Sequence, residues 1–447
     1  MKRFKYTYQL LAALAFMACL SGCAQDDSIL TPDGEETNDG KTTLLLKVNT
    51  PAISTKANTP VLLSGTDAEN ALNRLDLFIV RDNELVKQYS KTESNLQSPI
   101  LFVLEDTDIT DADIYVAANM TPTQAGSIST DNLNPEMSIT GITDLTGTEG
   151  FLMTGKTTDK VTIEKGKVAN AGVTLDRVMC KVLLTCDTQT ENDAYVKLED
   201  DRNGYIKLSD VHYEPANTNR KFYPFAKPGN EDPNYAINNN LLSNPGSNFF
   251  PGTRVTASSK TAAKYVASKV NTNDENRYTD GVYCLENTVS MTDFTGTYGS
   301  GIHTAKQVGT YIKISAKFTP AFIDDAENLT ETEAEAKLTG GTFYTYRKAT
   351  EDKKHICYSS IAKGMGLNAG STAQDFTTYS GGLLEYETFV ASPAEFTDRS
   401  NLKRNNYYIM HVTSMTAPIR EKTIEVNTTV VGWTQKGTTV VDIETNN

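Results

Sequence analysis

Residues 161–186 read VTIEKGKVANAGVTLDRVMCKVLLTC. The stretch is rich in valine and threonine, and it predicts two or three short β-strands. Upstream the pattern repeats. LDLFIV (75–80) predicts a buried strand, and RDNEL (81–85) a turn with Asp82-Asn83 at its tip. SPILFVLE (98–105), ADIYVAAN (112–119) and FLMTGK (151–156) add further strands, and Leu44–Val48 starts the series. ADIYVAAN is nearly apolar on both faces and therefore predicts a central strand. Residues 44–186 thus read as about seven strands with a short helix around 130–145, the pattern of a β-sandwich.

Residues 187–447 form a second, larger unit. GYIKLSDVHYEPA (204–216), VYCLEN (282–287), TYIKISAKF (310–318), TFYTYRKA (342–349), LLEYETFVA (383–391), NNYYIMHVTSM (405–415), KTIEVNTTVVGW (422–433) and TTVVDIE (438–444) are strand candidates. Residues 325–339 suit a short charged helix or a loop. Residues 216–253 are crowded with Asn, Pro, Gly and Ser and are too long for a bare loop. They predict an extended excursion pinned by Phe222, Tyr223, Phe225, Phe249 and Phe250. The dozen-residue helical crossovers that a parallel α/β sheet needs are not found. The fold class is therefore all-β, with two β-sandwich domains in tandem.

The chain opens MKRFKYTYQLLAALAFMACLSGC. Lys2, Arg3 and Lys5 precede an apolar run, Leu10–Leu20, that is too short for a stable membrane span. Ser21 and Gly22 lead to Cys23. This resembles a bacterial lipoprotein signal, in which the cysteine becomes the acylated first residue; an ordinary secretory signal is the alternative. The divisions are a signal peptide (1–22), a polar tether (23–43), a first domain (44–186) and a second domain (187–447) with a long insertion at about 216–300. Lipidation at Cys23 would anchor the chain at a membrane without spanning it.

The chain carries 42 basic and 56 acidic residues, a net charge of -14. Nucleic acid wants a basic footprint, so it is not an expected partner. Beyond Cys19 and Cys23, the cysteines are Cys180, Cys186, Cys284 and Cys357. No C-x-x-C spacing marks a redox or zinc site. Two disulfides and four buried thiols are both open, although Cys180 and Cys186 share one strand-like run and are poorly placed to join each other.

Catalytic signals are weak. His212, His303, His355 and His411 stand apart, no H-x-x-x-H zinc helix occurs, and no G-x-S-x-G elbow marks a serine nucleophile. Glu199, Asp201, Asn203, Gly204 and Asp210 follow the oxygen-ligand spacing of a calcium loop, but helical flanks are missing and an ordinary β-turn fits the same residues. The recurrent tyrosines suit sheet packing better than a sugar-stacking platform. No enzyme activity and no cofactor is expected.

Several segments together resemble the fimbrillins of Bacteroidales, with Mfa-type fimbrial subunit precursors as the nearer relatives. NALNRLDLFIVRDNELV (70–86) is similar to the family's early strand, and FLMTGK to its Met-Ser/Thr-Gly strand. VTLDRVMCKVLLTC (173–186) is similar to the strand that closes the first domain, with Met179 and Cys180 where alanines are more usual. VYCLEN, YSGGLLEYETFV (379–390), RNNYYIMHVTSM (404–415) and VVGWTQKG (430–437) resemble elements of the second domain, although Tyr386 falls later than the pattern has it.

The resemblance implies transthyretin-like sandwiches and a pilus shaft subunit exported as an outer-membrane lipoprotein. It implies that a trypsin-like protease removes the first strand, and that another subunit's C-terminal segment fills the vacated groove by strand addition. Here LLLKVNTPAIST is followed by Lys56, the candidate cut site, where the family's protease often meets arginine; an ordinary loop lysine is the alternative, and Arg74 is the next candidate. Val440, Val441 and Ile443 are the donor-strand candidates. The implied partners are other copies of the chain, accessory fimbrial subunits, the maturation protease, the outer membrane before cleavage, and a host or bacterial surface ligand. A fimbrial base or tip subunit and a surface glycan-binding lipoprotein are the competing readings. The implied end state is an extracellular fimbrium.

Overall fold

A computed structural model describes residues 41–49, 62–64, 67–106, 108–147, 150–190, 193–198, 204–234, 245–259, 281–288, 309–347, 355–390, 402–416 and 424–434. In chain order the strands of the first part are β1 (Thr43–Asn49), β2 (Leu62–Ser64), β3 (Arg74–Arg81), β4 (Glu84–Thr92), β5 (Ile100–Val103), β6 (Ile109–Ala118), β7 (Met137–Ser138), β8 (Met153–Lys156), β9 (Val161–Ile163), β10 (Val168–Thr174) and β11 (Asp176–Arg177). There follow β12 (Met179–Cys186), β13 (Gly204–Ile206), β14 (His212–Ala216), β15 (Thr218–Asn219), β16 (Lys221–Phe222), β17 (Phe249–Phe250), β18 (Val255–Thr256), β19 (Ser258–Ser259), β20 (Val282–Leu285) and β21 (Tyr311–Pro320). The last group is β22 (Phe343–Arg347), β23 (His355–Tyr358), β24 (Phe376–Tyr379), β25 (Leu383–Phe389), β26 (Asn406–Met415) and β27 (Ile424–Thr434). The protein is predominantly β and sandwich-like, built from several mixed sheets.

The first core lies between the sheet β10-β1-β5 and the sheet β11-β8-β6-β3-β4, with β9 on β6. Leu75, Leu77 and Ile79 of β3 and Ile114, Val116 and Ala118 of β6 face it. The opposite faces of the same two strands are also covered. Phe78, Tyr115 and Ala117 pack in a separate cluster with Phe222 and Phe225. Phe225 meets the Phe78 and Tyr115 rings edge-on, with centroids 6.1 and 4.9 Å away. Double coverage is the physical reason ADIYVAAN lacks a polar face, and β6 lies between β3 and β8. Phe222 and Phe225, early in the excursion after residue 216, therefore cover this face of the β3–β6 sheet, and β16 pairs with β7. At the β3–β4 hairpin, Asp82 (φ 53) and Asn83 (φ 65) both adopt the left-handed conformation of a two-residue primed turn, which Asp and Asn tolerate best after glycine.

The second core is formed by β12, β20 and β26 on one side and β14, β21 and β25 on the other. β12, at the end of the 44–186 span, faces this second core. β12 pairs in parallel with β26, antiparallel with β20 and in parallel with β19, and Cys180, Val182, Leu184 and Cys186 face the second core. The chain leaves the first sheet system at Arg177, where β11 still pairs with β8. Around 130–145 only a single 3-10 turn forms, Ile142–Asp144, while a short helix precedes it at Pro122–Gly126. The charged segment near 325–339 does form a helix, Glu331–Lys337, started by a capping box between Thr330 and Glu333. Cys180, Cys186, Cys284 and Cys357 are buried free thiols. Burial pushes the Cys186 thiol up to about 12, which makes it inert.

Candidate functional site: the seat of the first strand

β1 reads TLLLKVN. Alternation sends Leu44, Leu46 and Val48 into the first core, where Leu44 and Leu46 are fully buried, while Lys47 and Asn49 face outward. The strand is bonded on both sides, in parallel to β10 (Leu44↔Ala169 through Val48↔Val173) and antiparallel to β5 (Leu44↔Phe102, Leu46↔Ile100). Flanking bonds fix its ends: Leu104 N–H donates to the Thr42 carbonyl (2.9 Å), Val48 N–H to Ser98 Oγ (2.9 Å) and Leu175 N–H to the Asn49 carbonyl (2.8 Å). Each leucine buried here contributes roughly 1.5–3 kcal/mol.

Among the described residues, β5 and β10 have no backbone ladder partner within their sheet but β1. Taking β1 away would leave two facing rows of unpaired backbone groups above an apolar trough, a template for another extended segment. The outer surface of this sheet is also apolar: Leu101, Val103 and Val168 are about half exposed beside Leu45.

At the Asn49 end the sheet meets a cavity of about 650 Å³. Thr174, the partner of Asn49, lines it together with Tyr115, Lys156, Phe225, Lys227 and Arg404. Gly155 permits this crossing, since a Cβ there would sit 1.9 Å from the Thr174 carbonyl oxygen.

Behind the cavity a buried polar joint ties the two cores. Arg404 donates from Nε to Glu286 Oε2 (2.9 Å), pairs through Nη2 with Oε1 of the same carboxylate, and donates to the Pro224 and Tyr223 carbonyls (2.9 and 2.8 Å). Lys181 Nζ lies 3.0 Å from Glu69 Oε1, which also accepts from the Tyr283 hydroxyl. Arg177 is fully buried; its Nε donates to the Glu69 carbonyl (3.2 Å), and burial lowers it to about 10 against the pull of Glu69. Composition could not single these residues out, because Glu69, the Arg177 and Lys181 pair, Glu286 and Arg404 lie far apart in sequence and meet only in the folded chain.

Asp232 belongs to the same joint and accepts from the backbone N–H groups of Thr288 and Asn234. Burial outweighs those bonds and raises its carboxyl to about 7. The folded protein then keeps a proton that the unfolded chain has released above about 4, so stability should fall as pH rises from 4 through 7. Denaturant unfolding at pH 5 and pH 8 should show part of this loss, at most about 3 kcal/mol over that interval, and Asp232→Asn should flatten the slope. An unchanged slope in the variant would show that Asp232 does not titrate in this range.

The sequence-derived sites Cys23, Lys56, Val440, Val441 and Ile443 all lie outside the described residues, as do Glu199, Asp201 and Asn203. Lys56 falls between β1 and β2, and the donor candidates follow β27. β2 runs parallel to β27, with Leu62 opposite Gly432 and Leu63 opposite Trp433. His212 and His411 sit in separate strands, β14 and β26. Among the described residues no group of three or more His, Cys, Asp or Glu side chains is arranged to hold a metal ion.

No family model and no curated protein matches the chain. Among solved structures it is similar to a fimbrilin (FimA) from Porphyromonas gingivalis W83, at 11% identity and a TM-score of 0.45, over 89% of this chain and 99% of that one. It is similar to a protein described as a cell adhesion protein from Parabacteroides distasonis ATCC 8503, at 12% identity and a TM-score of 0.47, over 89% and 99%. It is also similar to the tip fimbrial protein Mfa3 from Porphyromonas gingivalis, at 15% identity and a TM-score of 0.39, over 88% and 100%. Values this low carry no conclusion about function.

Proposed function

We propose that this protein is a non-catalytic structural subunit of a cell-surface fimbria, of the fimbrillin type, with two transthyretin-like sandwiches in tandem. It is made as an outer-membrane lipoprotein acylated at Cys23. A trypsin-like protease cuts after Lys56, and the lipid, the tether and β1 leave together. The C-terminal segment carrying Val440, Val441 and Ile443 then enters the vacated seat of another copy. The mature subunit has left its anchor and joined an extracellular fibre.

The observation that supports this best is the position of β1. It is paired along its whole length with β10 and over Thr43–Leu46 with β5, and its inner face is apolar, yet a single cut between Asn49 and Leu62 would separate it from everything downstream. β2 would stay behind, on β27.

The test is limited digestion of the lipidated precursor with a trypsin-like protease, followed by N-terminal sequencing and electrophoresis in SDS without boiling. The expected product begins at Ala57 and forms a ladder of SDS-resistant multimers, and Lys56→Ala abolishes both. A clean cut that leaves monomers would sink the strand-replacement reading. A chain that resists the protease and keeps its lipid would be a base subunit instead.

A further inference from the structure

The cavity at the Asn49 end of β1 is wide enough for more than packing, and it sits where a replacing strand would emerge. Its mouth is cationic. Lys156 is exposed, with Nζ 5.6 Å from the Tyr115 ring, and Lys227 Nζ lies 3.4 Å over the Tyr223 ring. Among the described residues neither lysine has a carboxylate partner. The other two charges on the wall are already engaged: Arg404 by Glu286, and Asp176 by Asn405 Nδ2 at 3.0 Å.

Residues 438–447 read TTVVDIETNN. In an extended chain Val441 and Ile443 share one face, and Asp442 and Glu444 the other. β1 has the same alternation at Leu46 and Val48 against Lys47 and Asn49. Seating Val441 and Ile443 where Leu46 and Val48 sit, in the direction of β1, puts Asp442 at the place of Lys47. Glu444 then takes the place of Asn49, opposite Thr174 on the cavity wall.

We propose that the cavity is a recognition site for the acidic residues of the incoming segment, with Lys156 and Lys227 reading Asp442 and Glu444 of a second copy of this chain. This rests on the strand-replacement reading above and adds direction, register and selectivity to it. The resident strand offers Lys47 and Asn49 at these positions, so the two lysines favour the newcomer over the strand it displaces. An acidic face meeting a basic mouth also rejects the inverted strand, which would carry Glu444 away from the cavity.

The test uses the cleaved full-length subunit and a labelled synthetic peptide of residues 436–447, with binding read by fluorescence anisotropy. The wild-type subunit should bind the peptide, more weakly as salt rises. Lys156→Glu with Lys227→Glu should weaken binding at least about tenfold, two charge contacts of roughly 0.7 kcal/mol each. A peptide with Asp442→Lys and Glu444→Lys should recover binding to the reversed subunit, and the milder Lys156→Gln, Lys227→Gln pair should give an intermediate loss. If the reversed subunit binds the native peptide within twofold of wild type, the cavity reads nothing and this proposal falls while strand replacement stands. If the wild-type cleaved subunit binds no peptide, both fall.

Discussion

Glu286→Ala should destabilise the protein by about 3–5 kcal/mol, the cost of leaving a buried cation without its counter-charge. The Arg404 and Glu286 side chains are 4% and 1% exposed, so water cannot take the lost partner's place. The Pro224 and Tyr223 carbonyls would still accept from the guanidinium, but they carry no net charge. The loss should appear as a lower denaturant midpoint with an unchanged slope. Removing both charges as Glu286→Gln with Arg404→Met should cost less than Glu286→Ala alone, because no isolated charge remains. A Glu286→Ala effect below 1 kcal/mol would mean that the joint relaxes enough to hydrate the arginine. A large effect places the rigidity of the molecule in a polar seam between two apolar cores.

Leu44→Ala and Leu46→Ala should each cost about 2–5 kcal/mol, since both side chains are completely buried and deletion leaves a cavity. The two residues point into one trough, so the double variant should deviate from the sum of the singles. Their functional signature is the opposite of their thermodynamic one. If the proposed strand replacement operates, a weaker β1 should leave faster after a cut at Lys56, and polymerisation of the cut double variant should begin sooner than that of wild type. The measurements are chemical denaturation of the uncut chain and the lag time of ladder formation after the cut. A lag unchanged by a clear loss of stability would show that release of β1 does not limit assembly.

Much of the architecture was legible because strand pattern and burial agree. ADIYVAAN announced a central strand through its two apolar faces, and RDNEL announced its turn through two residues that tolerate left-handed backbone. The excursion beyond residue 216 was legible as pinned by aromatics, and Phe222, Phe225 and Phe249 are buried. What covers them was not legible, because Phe225 meets Phe78 and Tyr115 from the far side of the chain. The placement of β12 was not legible for a similar reason: apolar character marks MCKVLLTC as buried but does not say which of two cores buries it. The polar joint left no sequence signal at all. Its carboxylates and cations look like surface residues until tertiary structure brings them together, and a cavity lined by Lys156 and Lys227 has no local pattern either.

The double-sided pairing of β1 also governs how its seat bears load. Ladder hydrogen bonds run across the strands, so a segment lying there and tugged along its own axis strains every rung at once. Peeling, which opens rungs one after another, requires a pull at right angles to the sheet. A filament joined through such seats and stretched lengthwise would be loaded in shear at every joint, and the two flanking strands would share the force.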